Sequence, residues 1–199
     1  MNEGKSMTAT SRYKAWAIGL HWTIAALILF QIGYAWWVLG AQPDHSPSQR
    51  VDLAFHMSIG LTILVLSLAR LTLRLTVRPP PLPADMPGWE KGLARVTHVV
   101  FYLLIIGIPL GGWTLASLNP RPILYFGLFT WPHLPVFAGL TAATKHILGG
   151  LVGPLHTSIL IWATLVLLGL HVAGALKNQV TGPPVLWRMI PFLRRPSAL

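Results

Sequence analysis

The side chains of this chain that can do chemistry are imidazoles: it carries eight histidines and no cysteine. Without thiolates there is no disulfide, no thiolate-bound iron–sulfur cluster, no zinc ribbon and no covalently attached c-type haem, so any cofactor must hang on histidine. His21, His56, His98, His156 and His171 fall within or at the edge of long apolar stretches. An imidazole in hydrocarbon needs a hydrogen-bond partner or a metal, which makes each a functional candidate. Bonding to a neighbouring helix's carbonyl is the bland alternative for any one of them, and a weaker one for five together.

The elements that position these histidines follow from composition. Of 199 residues 53% are hydrophobic and only 10% charged, with a mean hydropathy of +0.59, which places the chain in lipid. Four stretches are free of charge, Ala15 to Asp44 with Asp44 counted as its end, Leu53 to Ala69, Val96 to Pro120 and His146 to Leu176. Each can supply a membrane helix of roughly 20 residues, the second by running on to about Leu75 with Arg70 and Arg74 reaching the headgroups. The expected fold is all-α, an integral membrane four-helix bundle in a single domain over 1–199, with spans at about 14–39, 52–75, 94–118 and 153–177. The polar Met1 to Ser11 stretch precedes a first span too long for a signal-peptide core, so that span stays as a helix.

Orientation follows from basic residues. Lys5, Arg12 and Lys14, then Arg70, Arg74, Arg78, Lys91 and Arg95, then Lys177, Arg188, Arg194 and Arg195 share one side, against Arg50, Arg121 and Lys145 on the other. The positive-inside rule puts both termini and the Pro-rich loop at Arg78 in the cytoplasm. The same pattern accounts for the net charge of +10 without nucleic acid. The uncharged 123–140 segment is interrupted by Gly127, Pro132, Pro135 and Gly139, and reads as an interfacial or re-entrant outer loop between helices 3 and 4, with Trp131 and His133 near headgroup level.

Depth sorts the membrane histidines into two layers. His21 and His171 lie towards the inner side, His56 and His156 towards the outer, and the fifteen residues from His156 to His171 span roughly 22 Å of helix. Two histidines per layer from different helices is the donor set of a bis-histidine haem, and the natural pairs are His21 with His171 and His56 with His156. Porphyrin edges at that spacing approach to about 10 Å, within electron-tunnelling reach. His98 is left over at the inner boundary, one turn from Arg95; it is open to hydrogen-bonding a quinone, to serving as an alternative inner ligand, or to a structural bond.

Arg12-Tyr13, Leu20-His21-Trp22, Phe55-His56-Met57, Arg70-Leu71-Thr72-Leu73-Arg74, Ala94-Arg95-Val96-Thr97-His98, Phe126-Gly127-Leu128, Leu170-His171-Val172-Ala173-Gly174 and Leu186-Trp187-Arg188-Met189 together resemble the bacterial cytochrome b561 family over nearly the whole chain. The resemblance implies an inner-membrane cytochrome with two haem b groups on His21, His56, His156 and His171, and ubiquinone as acceptor. It further implies superoxide as the donor to the outer haem. The chain departs from the family in one respect: the last two ligands usually stand fourteen apart, here fifteen, and an extra His146 precedes them. One added residue turns a ligand by about 100° unless a local bulge absorbs it, so His146 competes with His156 for the outer role.

A bis-histidine iron is coordinatively full, so oxidation of superoxide is expected to be outer-sphere, with Arg50, Arg121 and Lys145 drawing the anion to the outer edge. Arg12, Arg95 and His98 are the candidates for quinone binding and proton delivery inside. The rival expectation is an electron-transfer subunit that docks a periplasmic dehydrogenase or hydrogenase. A haem-free proton-coupled transporter is disfavoured, because no carboxylate lies inside the spans away from their ends.

Overall fold

The computed structural model describes residues 12–43 and 46–193. Met1 to Ser11, Asp44, and the charges Lys5, Arg194 and Arg195 lie outside the described residues. Helix α1 (Ala15–Tyr34) runs into a π-helical turn (Ala35–Leu39); α2 covers Pro47–Thr76 and α3 Gly88–Ser117. After a short hairpin, α4 (Ala142–Pro154) passes through a second π turn (Leu155–Ile159) into α5 (Leu160–Thr181). Four helical rods, counting α4 to α5 as one, are long and apolar enough to cross a membrane. Leu103, Val166 and Leu170 are about two-thirds exposed on their surfaces, which suits acyl chains as solvent and not water.

The helices overrun the expected spans for identifiable reasons. Ser46 caps α2, its hydroxyl accepting the Gln49 N–H at 3.0 Å, and Pro47 fills the first helical position, so α2 starts five residues before 52. At about 45 Å, α2 and α3 exceed a hydrocarbon core of about 30 Å, so both project into the headgroups. The last rod begins at Ala142 and not near 153. Thr141 caps it by accepting the Thr144 N–H at 3.2 Å, and the Pro154 ring is accommodated where the π turn opens the ladder. α3 stays continuous through Pro109. α2 packs against both α1 and α3, and α3 against α5.

The outer connection adds what an all-α reading lacks: strands β1 (Ile123–Tyr125) and β2 (Phe129–Trp131) pair antiparallel, with Tyr125 opposite Phe129. Phe126 (φ 48°) and Gly127 (φ 72°) both take left-handed backbone, as a tight primed turn demands, and the Leu128 N–H closes it on the Tyr125 carbonyl. That conformation costs a non-glycine residue about 1–2 kcal/mol. It is held by α2: the Phe126 N–H donates to Ser58 Oγ at 2.9 Å, and the Phe126 ring packs on Phe55. Ser117 of α3 receives the Leu134 N–H at 3.0 Å, and Trp113 donates to the Pro132 carbonyl. The cap is thereby tied to α2, which carries His56, and to α3.

At the other end, the segment after α5 folds back under the bundle. Arg12 donates to the Ile190 carbonyl, Trp22 to the Met189 carbonyl at 2.8 Å, and Arg188, 2% exposed, to the Pro81 carbonyl at 2.9 Å with its guanidinium over the Tyr13 ring. Burial among these groups lowers the Arg188 pKa from its ordinary value.

Candidate functional site

Two layers of histidines face one another inside the bundle. In the outer layer His56 of α2 and His156 of the second π turn have ring centroids 6.1 Å apart, with planes at 89°. In the inner layer His21 of α1 and His171 of α5 stand 6.4 Å apart at 62°. Two metal–nitrogen bonds of about 2 Å, plus the ring radii at both ends, separate axial imidazole centroids by about 6 Å, which is the spacing of both pairs.

The spacing problem on the last rod is met by the π turn. It inserts one residue between His156 and His171, so their fifteen-residue separation has the rotational phase of fourteen in an uninterrupted α-helix. His156 points to His56. His146 lies instead on the outer surface with Lys145, in a separate depression between the end of α3 and α4.

The outer layer has the attributes of a macrocycle site. A cavity of about 630 Å³, of ordinary cofactor size, is lined by Gln31, His56, Gly60, Gly112, His156 and Arg121 among mostly apolar residues. His156 Nδ1 donates to the Ile108 carbonyl at 2.8 Å, which leaves the Nε2 lone pair for a metal, the usual device for fixing a ligand tautomer. His56 Nδ1 is buried without a hydrogen-bond partner, an unmet demand of the kind a binding site carries. A Cβ at Gly112 would stand 2.8 Å from His156 Cε1, so only glycine lets this ring lie where it does. Among the described residues no group of three or more His, Asp or Glu gathers around one point. A pair of neutral imidazoles suits an ion whose other donors come with it, as in haem.

The inner layer is more crowded. His171 also faces His98 of α3, centroids 5.8 Å apart, and Phe101 at 5.3 Å. His98 Nδ1 donates to the Ala94 carbonyl and presents its own Nε2 lone pair. The geometry brings both His21 and His98 to His171, so the choice between ligand and quinone contact stays with their surroundings. Arg70 of α2 closes this level by donating to the Ala17 carbonyl at 2.9 Å.

The charged candidates separate. Arg121 borders the outer cavity, whereas exposed Arg50 turns back to the Ser46 carbonyl and Lys145 belongs to the other depression. Inside, Arg12 is engaged by Ile190, and Arg95 is exposed. Sequence reasoning missed Gln31, whose Nε2 donates to the His56 carbonyl at 2.7 Å and whose Oε1 is buried without a partner. A polar amide in the middle of span one was the available signal. It also missed Asp52, which accepts from the Tyr34 hydroxyl at 2.7 Å and from Gln42.

A family model described as prokaryotic cytochrome b561 matches residues 12–192. Cytochrome b561 homolog 2 of Escherichia coli (strain K12) is 30% identical over 171 residues, covering 84% of this chain and 85% of the relative. The probable superoxide oxidase CybB of Yersinia pestis is 31% identical over 126 residues, 61% of this chain and 67% of the relative. Cytochrome b561 homolog 1 of E. coli is 24% identical over 185 residues, 91% and 98% respectively.

Proposed function

The chain belongs to the prokaryotic cytochrome b561 family of membrane haem electron-transfer proteins, and from that membership we propose that it carries electrons across the bacterial inner membrane from superoxide to ubiquinone. The observation that carries this reading is the pair of stacked imidazole sets at axial-ligand spacing, His56 with His156 and His21 with His171. Haem b, the cofactor of this family, supplies reversible one-electron chemistry when bound there.

The chain's own residues do the rest. Ile108 holds His156 in the metal-binding tautomer, Gly112 gives its ring room, and Gln31 clamps α1 to the carbonyl of His56. Arg121 at the cavity mouth supplies the positive charge that draws a small anion; Arg50 and Lys145 contribute only to the wider outer field. At the inner layer His98 takes a proton at Nε2 and hands it to a quinone oxygen, and the nearby Arg95 adds positive charge. The name of the Yersinia relative supports superoxide as the donor. Both termini lie on the cytoplasmic side in this reading.

A specific observation favours a second reading, a subunit that docks a periplasmic redox partner. The outer cap exposes Leu124, Phe126, Leu128, Phe129 and Val136, an apolar surface suited to a protein face. The test is to count haems by pyridine haemochrome, then mix the purified protein with superoxide in a stopped-flow instrument, with and without ubiquinone. Two haems per chain, rapid reduction and ubiquinone-dependent reoxidation are expected. Two haems inert to superoxide select the docking reading, and absence of haem overturns the ligand assignment.

A further inference from the structure

Lys145 and His146, near the start of α4, line a depression of about 420 Å³ that opens between this helix and the end of α3. Leu115 and Leu118 of α3 and its C-cap give it an apolar side, and Gly149-Gly150 leaves it room: a Cβ added at Gly150 would meet nothing within 4 Å. Asn119 lines it too, and because its Oδ1 accepts the Arg121 N–H at 3.1 Å, its amide N–H groups are left to donate. Neither Lys145 nor His146 has a side-chain hydrogen bond or an ion pair among the described residues. The first turn of α4 contains no acid, and Asp52, the described carboxylate nearer this end, is engaged by Tyr34 and Gln42. The positive charge of the depression is therefore uncompensated by the described residues.

Depth and surroundings give the kind of anion that fits. From Lys145 to His171 the last rod runs 26 residues, roughly 39 Å. A bilayer with its headgroups is about 40–45 Å thick, so with His171 near the inner boundary Lys145 reaches the outer headgroup level. On the same helix Ile147 and Leu151 are each 63% exposed, a surface for acyl chains beside the depression. A lone surface lysine is commonplace and has little energetic meaning. Here a cation, an imidazole and an amide donor instead border one apolar hollow that lies next to the lipid-facing surface.

We propose that this depression binds the headgroup of an anionic phospholipid of the outer leaflet. The phosphodiester takes the charge of Lys145 and hydrogen bonds from His146 and Asn119, and the glycerol and upper acyl carbons lie against Leu115 and Leu118. A zwitterionic lipid brings its own ammonium to the same place and fits less well. Leu115 and Asn119 also line the outer cavity, so the lipid braces a wall shared with the outer histidine layer.

The test uses the haem-loaded full chain in detergent, titrated with phosphatidylglycerol, phosphatidylethanolamine or glycerol 3-phosphate and read by native mass spectrometry. The expected result is a phosphatidylglycerol bound more tightly than phosphatidylethanolamine, with glycerol 3-phosphate far weaker than either. Lys145→Gln removes the charge, and Gly150→Leu fills the hollow without meeting protein atoms or altering charge. Each should weaken phosphatidylglycerol binding on the order of fivefold or more while haem content stays native. Lys91→Gln, at the other end of the bundle, should leave that binding as it was. Equal affinity for the two lipids, or native affinity in either Lys145→Gln or Gly150→Leu, overturns the proposal. Glycerol 3-phosphate bound as tightly as the lipid also overturns it, and makes the depression a site for soluble anions.

Discussion

Each histidine proposed as an outer ligand is held by a neighbour that has no catalytic chemistry of its own. His156 depends on the Ile108 carbonyl for its tautomer and on the missing side chain of Gly112 for its place. Gly112→Ala puts a methyl group at 2.8 Å from the ring, closer than carbon atoms approach, so the imidazole must move. If the proposed assignment holds, the expected outcome is a chain that inserts normally and binds one haem fewer than the native protein, with the remaining haem having the spectrum of the inner layer. His156→Ala should give the same stoichiometry. His146→Ala should leave it at two, because that side chain lies in another depression. Pyridine haemochrome assay of the three variants checks all of this, and loss of a haem in His146→Ala would reverse the outer assignment.

At the scale of the element, the π turn and the hairpin make the clearest predictions. Deleting Ser158 removes the extra residue of the π turn, restores an α-helical fourteen-residue spacing, and should keep two haems. Inserting one alanine between Val166 and Leu167 adds about 100° with nothing to absorb it, and should lose one. Ser58→Ala withdraws the acceptor for the Phe126 N–H, costs about 1–3 kcal/mol of local stability, and should raise hydrogen exchange across 123–131 without changing the inner layer. The four rods are legible in the sequence because lipid demands long apolar runs, and the two layers because imidazoles are rare enough in such runs to be placed by depth. The hairpin is not legible: strands of three residues are too short for an alternating pattern to emerge, and the prolines around them read as breakers. The start of the last helix at Ala142 is hidden by Gly149-Gly150 and Gly153-Pro154, residues whose propensity is overridden by packing. The fifteen-residue spacing reveals a mismatch of register, but the bulge that resolves it depends on neighbours the spacing does not name.

For the molecule as a whole, long-range ties decide what is near what, and these are the least visible in a linear chain. Nothing in the local sequence pairs Arg12 with Ile190 or Arg188 with Pro81, so the fastening role of Arg12, a candidate for the quinone, is one the linear chain does not announce. A chain ending at Thr181 should insert and keep its outer haem, yet lose stability at the inner layer, read as an earlier thermal bleaching of one haem band. The same fastening sets an order of manufacture. Residues 182–193 leave the ribosome long after the partners they grip, Arg12, Tyr13 and Trp22. Until that segment is made, the floor of the bundle lacks its latch on Trp22, the neighbour of His21, and a flat hydrophobic cofactor bound for the inner histidines would meet a more open path than in the finished fold.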